Sequence, residues 1–152
     1  MSTILNFIKC FLIALGLCAY PLSPVWAQNE FAQAAAKEPG AKVTASGLIF
    51  RSLQDGQGNS PMASDKVKVH YRGTFPDGKE FDSSYKRNQA IDFPLNGVIP
   101  CWTEGVQLMK VGGKAKLTCP PAIAYGSRGA GGVIPPNATL QFEVELIAIA
   151  GK

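Results

Sequence analysis

Leu140-Gln141-Phe142-Glu143-Val144-Glu145-Leu146 alternates apolar and polar residues without a break. Side chains of an extended chain point to opposite faces in turn, so Leu140, Phe142, Val144 and Leu146 share one face and Gln141, Glu143 and Glu145 the other. The stretch reads as a strand with one face on a core and one in water. Working outward, Lys114-Ala115-Lys116-Leu117-Thr118-Cys119 repeats the pattern, with Ala115, Leu117 and Cys119 inward, until Pro120-Pro121 ends it. Lys66-Val67-Lys68-Val69-His70-Tyr71-Arg72 does so again, with Val67, Val69 and Tyr71 inward. Thr74–Lys79 then carries Pro-Asp-Gly turn chemistry, which predicts a hairpin returning through Glu80-Phe81-Asp82.

Among these strands lies one helical signal. From Pro100 to Lys110 the apolar residues Trp102, Val106 and Met109 fall on one helical face, and Gly112-Gly113 stops the pattern. Pro100 suits a first helical turn, where a missing N–H costs nothing. The sum is an α+β domain, an antiparallel sheet with one short α-helix on its apolar face.

The chain has 152 residues and a formal net charge of +4, enough for one domain plus something short. Its lysines alternate along strands and form no arginine-rich stripe, so the charge reads as solvated strand faces and no nucleic-acid partner is expected. Lys9 precedes the apolar run Phe11–Ala19, followed by Pro21, Pro24 and then Val25-Trp26-Ala27, with small residues where a signal peptidase cuts. Residues 1–27 are read as a cleaved secretory signal. The run is shorter than the ~20 residues a spanning helix needs, so no stable membrane insertion is expected after cleavage. Gln28–Ala41, rich in Gln, Ala, Lys and Glu, reads as a flexible N-terminal segment or a short frayed helix, and the folded domain is expected over residues 42–152.

The blocks Val-His-Tyr-Arg-Gly at Val69–Gly73, Phe-Asp-Ser-Ser at Phe81–Ser84, Gly-Val-Ile-Pro-Cys-Trp at Gly97–Trp102, Ala-Tyr-Gly at Ala124–Gly126, and Ile134–Leu146 occur in that order. Together they resemble the FK506-binding-protein family of peptidyl-prolyl cis–trans isomerases, over roughly residues 42 to 150. The resemblance implies a strongly bent sheet wrapped around the helix and a dry pocket between them. It makes Trp102 the floor, with Tyr71, Phe81, Val98, Ile99 and Phe142 as walls and Phe93 and Ile134 as further substrate-binding residues. The Tyr125 hydroxyl and the Ile99 backbone N–H would hold substrate carbonyls, and Asp82 would be the charged group at the rim. Strand alternation alone points Asp82 away from the side of Phe81, so its place in the pocket requires a bulge that only the resemblance implies.

An isomerase of this kind works without a nucleophile, a metal or any other cofactor, and none is expected. His70, the only histidine, lies on a polar strand face with no ligand-spaced neighbour. The implied partners are proline-containing unfolded or partly folded polypeptides, with macrolides of the FK506 type as inhibitors. The implied place of action is outside the cytoplasm, in the periplasm. With no room for the long helical arm of some exported relatives, the chain is expected to be a monomer. The family often has an aromatic or histidine near Ile91 and Ala130, so ligand selectivity is expected to differ. A holdase that grips proline-containing segments without turnover is the competing class.

Two cysteines depart from the family pattern together. Cys101 starts the helix and Cys119 faces inward from the strand beneath it, and in an oxidising compartment they suggest a structural disulfide. Free buried thiols and a redox role are the alternatives.

Overall fold

The computed structural model describes residues 25–152. The elements run α1 (Val25–Ala36), β1 (Ala41–Val43), β2 (Ile49–Gln54), β3 (Lys66–Thr74), β4 (Glu80–Ser83), β5 (Ile91–Pro94), α2 (Pro100–Gln107), β6 (Lys114–Cys119) and β7 (Leu140–Ile149). All strands join one antiparallel sheet in the order β1-β2-β6-β7-β3-β4, and β5 also pairs with β3. The alternating strands behave as their side chains dictate. Leu140, Phe142, Val144 and Leu146 of β7 are buried, as are Val67, Val69 and Tyr71 of β3 and Ala115, Leu117 and Cys119 of β6.

The buried face packs against α2 through Trp102 and Val106, and against Met109 just beyond the helix end. Burying each Leu- or Val-sized side chain stabilises the fold by roughly 1.5–3 kcal/mol, so this layer carries most of the domain's stability. Gly105 lets the helix come close: a Cβ there would stand 2.8 Å from a Leu117 methyl. At the start of the same helix Cys101 is bonded to Cys119 of β6, with a Cα–Cα distance of 5.8 Å. Both residues are fully buried, which leaves neither free thiols nor an accessible disulfide for redox exchange.

The outer edge of β3 is shared by two partners. β5 pairs with Lys66–Val69 and β4 with Arg72–Thr74, leaving a gap opposite His70 and Tyr71. Ser84 closes it. Its N–H donates to the Tyr71 carbonyl at 3.0 Å, and its Oγ accepts the Tyr71 N–H at 2.8 Å. The same Oγ lies 2.9 Å from His70 Nδ1, and His70 stacks on Tyr85 with ring centroids 4.7 Å apart. The lone histidine is thus part of a strand repair, outside the cavity described below.

Three strands lie beyond the alternation pattern. β2 buries Ile49 and Phe50 consecutively and then turns outward, so it has no period-two signature, while β1 and β5 are too short to show one. The segment 28–41, read as flexible or as a short frayed helix, is helical up to Ala36 and fastened to the sheet. Its alanines favour helix, Ala35 is buried, and Glu38 takes ion pairs from Arg51 at 2.8 Å and Lys116 at 3.1 Å. The Gln28 side-chain carbonyl accepts the Thr139 N–H at 2.7 Å. Most of the expected signal lies outside the described residues, and the expected cleavage between Ala27 and Gln28 falls within α1. No helix among the described residues is long and apolar enough to cross a membrane.

Candidate active site

Where the sheet curls over the start of α2, a cavity of about 500 Å³ opens. It is lined by Tyr71, Phe81, Asp82, Phe93, Gly97, Val98, Ile99, Trp102, Tyr125 and Phe142. Trp102 stands at its centre. Its ring meets Tyr71, Phe93 and Phe142 edge to face, at centroid distances of 5.3, 5.6 and 5.4 Å. Phe81 meets Phe142 the same way at 5.6 Å. Perpendicular rings brace each other and cannot collapse into a stack, which keeps the space between them open. The indole Nε1 is buried with no hydrogen-bond acceptor among the described residues.

Two adjacent residues, Phe81 and Asp82, both reach this cavity because β4 carries a bulge. Gly73 pairs with Asp82 and Thr74 with Glu80, so Phe81 is the extra residue and the alternation breaks there. Gly73 makes room for the result. A Cβ on it would lie 2.5 Å from the Phe81 ring and 3.0 Å from the Phe142 ring. Gly73→Ala should therefore cost about 1–3 kcal/mol by overpacking two rigid rings, measured as a lower urea midpoint with an unchanged slope.

Asp82 is held on both oxygens. The Tyr71 hydroxyl donates to Oδ2 at 2.5 Å, and Arg87 Nη1 to Oδ1 at 2.7 Å. Arg87 Nη2 also donates to the Tyr71 hydroxyl at 2.9 Å, which closes a triangle. Burial pushes the Asp82 carboxyl up, but the bonds from Tyr71 and Arg87, the Arg87 charge and the Ser83 N–H together hold it below the ordinary carboxylate range. Burial, and after it the bond to Asp82, raises the Tyr71 hydroxyl. Burial and the nearby Asp82 charge likewise raise Tyr125, so both phenols stay protonated donors at neutral pH.

Glu38 resembles Asp82 in sign: burial raises its carboxyl, but Lys116 and Arg51 outweigh this and lower it. A carboxyl lowered by folding stabilises the fold above its unfolded value and loses that contribution as pH falls through the folded value. The thermal midpoint should be nearly level from pH 7 to about 5 and fall below about pH 4, and Asp82→Asn should make the fall shallower.

Arg87 carries no periodic signal and is absent from the residues that sequence reasoning selects. A 3-10 turn, Tyr85–Arg87, ended by Asn88 at φ 50°, aims it back at Asp82. The available clue was an arginine five positions beyond the one carboxylate at the rim. Ile134, by contrast, does not line the cavity. It is buried in the core, and its backbone is bridged to Ala130. All the other expected pocket residues meet at the one cavity.

The site contains rings, one fixed carboxylate and a few donors. Among the described residues no cluster of His, Cys, Asp or Glu could hold a metal ion. The site thus joins a bent antiparallel sheet, closed on one helix, to an aromatic cavity with a fixed carboxylate at its rim, the architecture of a binding cleft. A family model described as FKBP-type peptidyl-prolyl cis-trans isomerase matches residues 57–147. The chain belongs to that family.

It is 50% identical over 121 residues to the FKBP-type peptidyl-prolyl cis-trans isomerase FkpA of Escherichia coli K12, covering 80% of this chain and 44% of that one. It is 55% identical to FkpA of Aeromonas hydrophila, over 80% of this chain and 45% of that one. The chain therefore spans about half the length of these curated relatives. Among solved structures, a peptidyl-prolyl cis-trans isomerase of Pseudomonas syringae pv. tomato is 40% identical with a TM-score of 0.78, covering 88% of this chain and 98% of that one.

Proposed function

We propose that the chain catalyses cis–trans isomerisation of X-Pro bonds in exported polypeptides. The observation that carries this reading is the braced aromatic cavity around Trp102, built on the family's own sequence blocks. Rotation about an amide C–N bond meets a barrier of ~18–20 kcal/mol, which comes from resonance that makes the planar amide polar. Twisting the bond removes that resonance, so the transition state is the less polar species and a dry aromatic cavity favours it over the ground state. Trp102 lies under the proline ring, with Tyr71, Phe81, Val98 and Phe142 around it.

Fixed donors then hold the flanking chain while the amide turns. The Ile99 N–H and the Tyr125 hydroxyl have no hydrogen-bond acceptor among the described residues, which supports their use as donors to substrate carbonyls. Asp82, locked by Tyr71 and Arg87, supplies a fixed negative charge at the rim that orients the twisting amide dipole. Uncatalysed isomerisation takes tens to hundreds of seconds, long enough for an unfolded exported chain to aggregate. The apolar run before α1 supports action in the periplasm, which cell fractionation would check. FK506-type macrolides would occupy the same cavity and compete with substrate. The deciding experiment is acceleration of cis-to-trans conversion in a short prolyl peptide. No acceleration with any residue before proline would end this reading in favour of binding without turnover.

A further inference from the structure

Beside the first cavity lies a second, of about 380 Å³, that the proposed isomerase mechanism does not use. Its apolar lining comes from Phe75 and Pro76 of the β3–β4 hairpin, Phe81, and Val133, Pro135 and Ala138 of the loop before β7. Gln28 of α1 completes it, pinned there by its bond to the Thr139 N–H. Gln28 lies outside residues 57–147, so this wall is not part of the stretch that the family model matches.

Phe81 belongs to both cavities and is the partition between them. Its ring centroid is 5.6 Å from Phe142 on the first side and 4.9 Å from Phe75 on the second. With Phe81 5.6 Å from Phe142 and 4.9 Å from Phe75, the rings on its two sides are at most about 10.5 Å apart, a span that an extended chain advancing ~3.3–3.6 Å per residue covers in about three residues. The volume falls within the range of small ligand pockets, roughly 300–1,000 Å³, and suits one large side chain. Asp77, Lys79 and Glu80 at the margin carry both signs of charge, which favours a neutral segment over a charged one.

We propose that the second cavity is a subsite for the same client polypeptide, taking an apolar side chain of leucine or phenylalanine size about three residues from the proline. This rests on the isomerase reading and deepens it. A polypeptide that is merely proline-containing fills one cavity; an unfolded segment with an apolar residue at the right spacing fills both. The site thereby selects core-forming stretches over the polar proline-rich linkers of folded proteins.

The test compares kcat/KM for a short blocked prolyl peptide with that for longer peptides bearing Leu or Gly three residues before or after the proline. Leu at one of these positions is expected to exceed Gly by about tenfold or more, the scale on which an apolar pocket rewards a larger side chain. Val133→Asp places a charge in the second cavity at a residue that is 56% exposed, so the fold should tolerate it. It should bring the Leu-to-Gly ratio near one and leave the short peptide unaffected. Equal values for Leu and Gly at both positions overturn the subsite, as does a preference that survives Val133→Asp. Calorimetric titration of the same peptides separates the two readings. A missing Leu preference in binding overturns the subsite, whereas binding preference without turnover of any peptide overturns the isomerase reading alone.

Discussion

Trp102→Ala is expected to be the most damaging single substitution in the chain, lowering stability by about 3–5 kcal/mol and abolishing detectable prolyl isomerisation. The size follows from what the indole touches. It is 5% exposed and makes three edge-to-face ring contacts, each contributing roughly 0.5–1.5 kcal/mol beyond the area buried, and its loss leaves a void that stiff neighbours cannot fill. Trp102→Leu separates stability from catalysis. Leucine restores part of the apolar volume, so urea denaturation should show the smaller loss, while kcat/KM still falls about tenfold or more because Tyr71, Phe93 and Phe142 have lost the ring that braces them. A Trp102→Leu protein with undiminished kcat/KM would mean that the proline ring is received elsewhere.

The second large effect concerns the bond beside that indole. Replacing Cys101 and Cys119 together with alanine should cost about 3 kcal/mol, the entropy of a cross-link closing a loop of this order. The two positions are 18 residues apart. For a domain of this size the loss corresponds to a fall in thermal midpoint on the order of 10 °C. The intact protein should also resist dithiothreitol under native conditions, since both sulfurs are buried in the core cluster. A double variant that melts with the parent would show that packing alone seats α2 on the sheet. Isomerase activity should survive well below the new midpoint, because neither sulfur lines the cavity.

How much of this was legible in the residues depended on periodicity. β3, β6 and β7 each have one wet face, and their alternation states which side chains are inward. Trp102, Val106 and Met109 did the same for α2. β2 could not be read that way, because it buries two neighbours in succession and pairs with β6 through an irregular register. The rim of the site was hidden for a related reason. Asp82 enters the cavity through a bulge, a backbone event with no side-chain signature, and Arg87 arrives from a turn where spacing says nothing about direction. Ile134 shows the converse: an apolar residue within a family block whose side chain ends in the core. The hold of α1 on the domain was not legible in the residues, because it runs through Glu38, just beyond the helix, which meets Arg51 and Lys116 from distant strands.

The place of β7 in the sheet bears on when this domain can form. β7 is paired with β6 along one edge and with β3 along the other, and β6 and β3 share no hydrogen bonds with each other. Before residues 140–149 emerge from the ribosome, the hairpin side and the helix side have no common strand to dock on. With β7 in the keystone position, the two parts of the sheet cannot be joined until residues 140–149 are available to both.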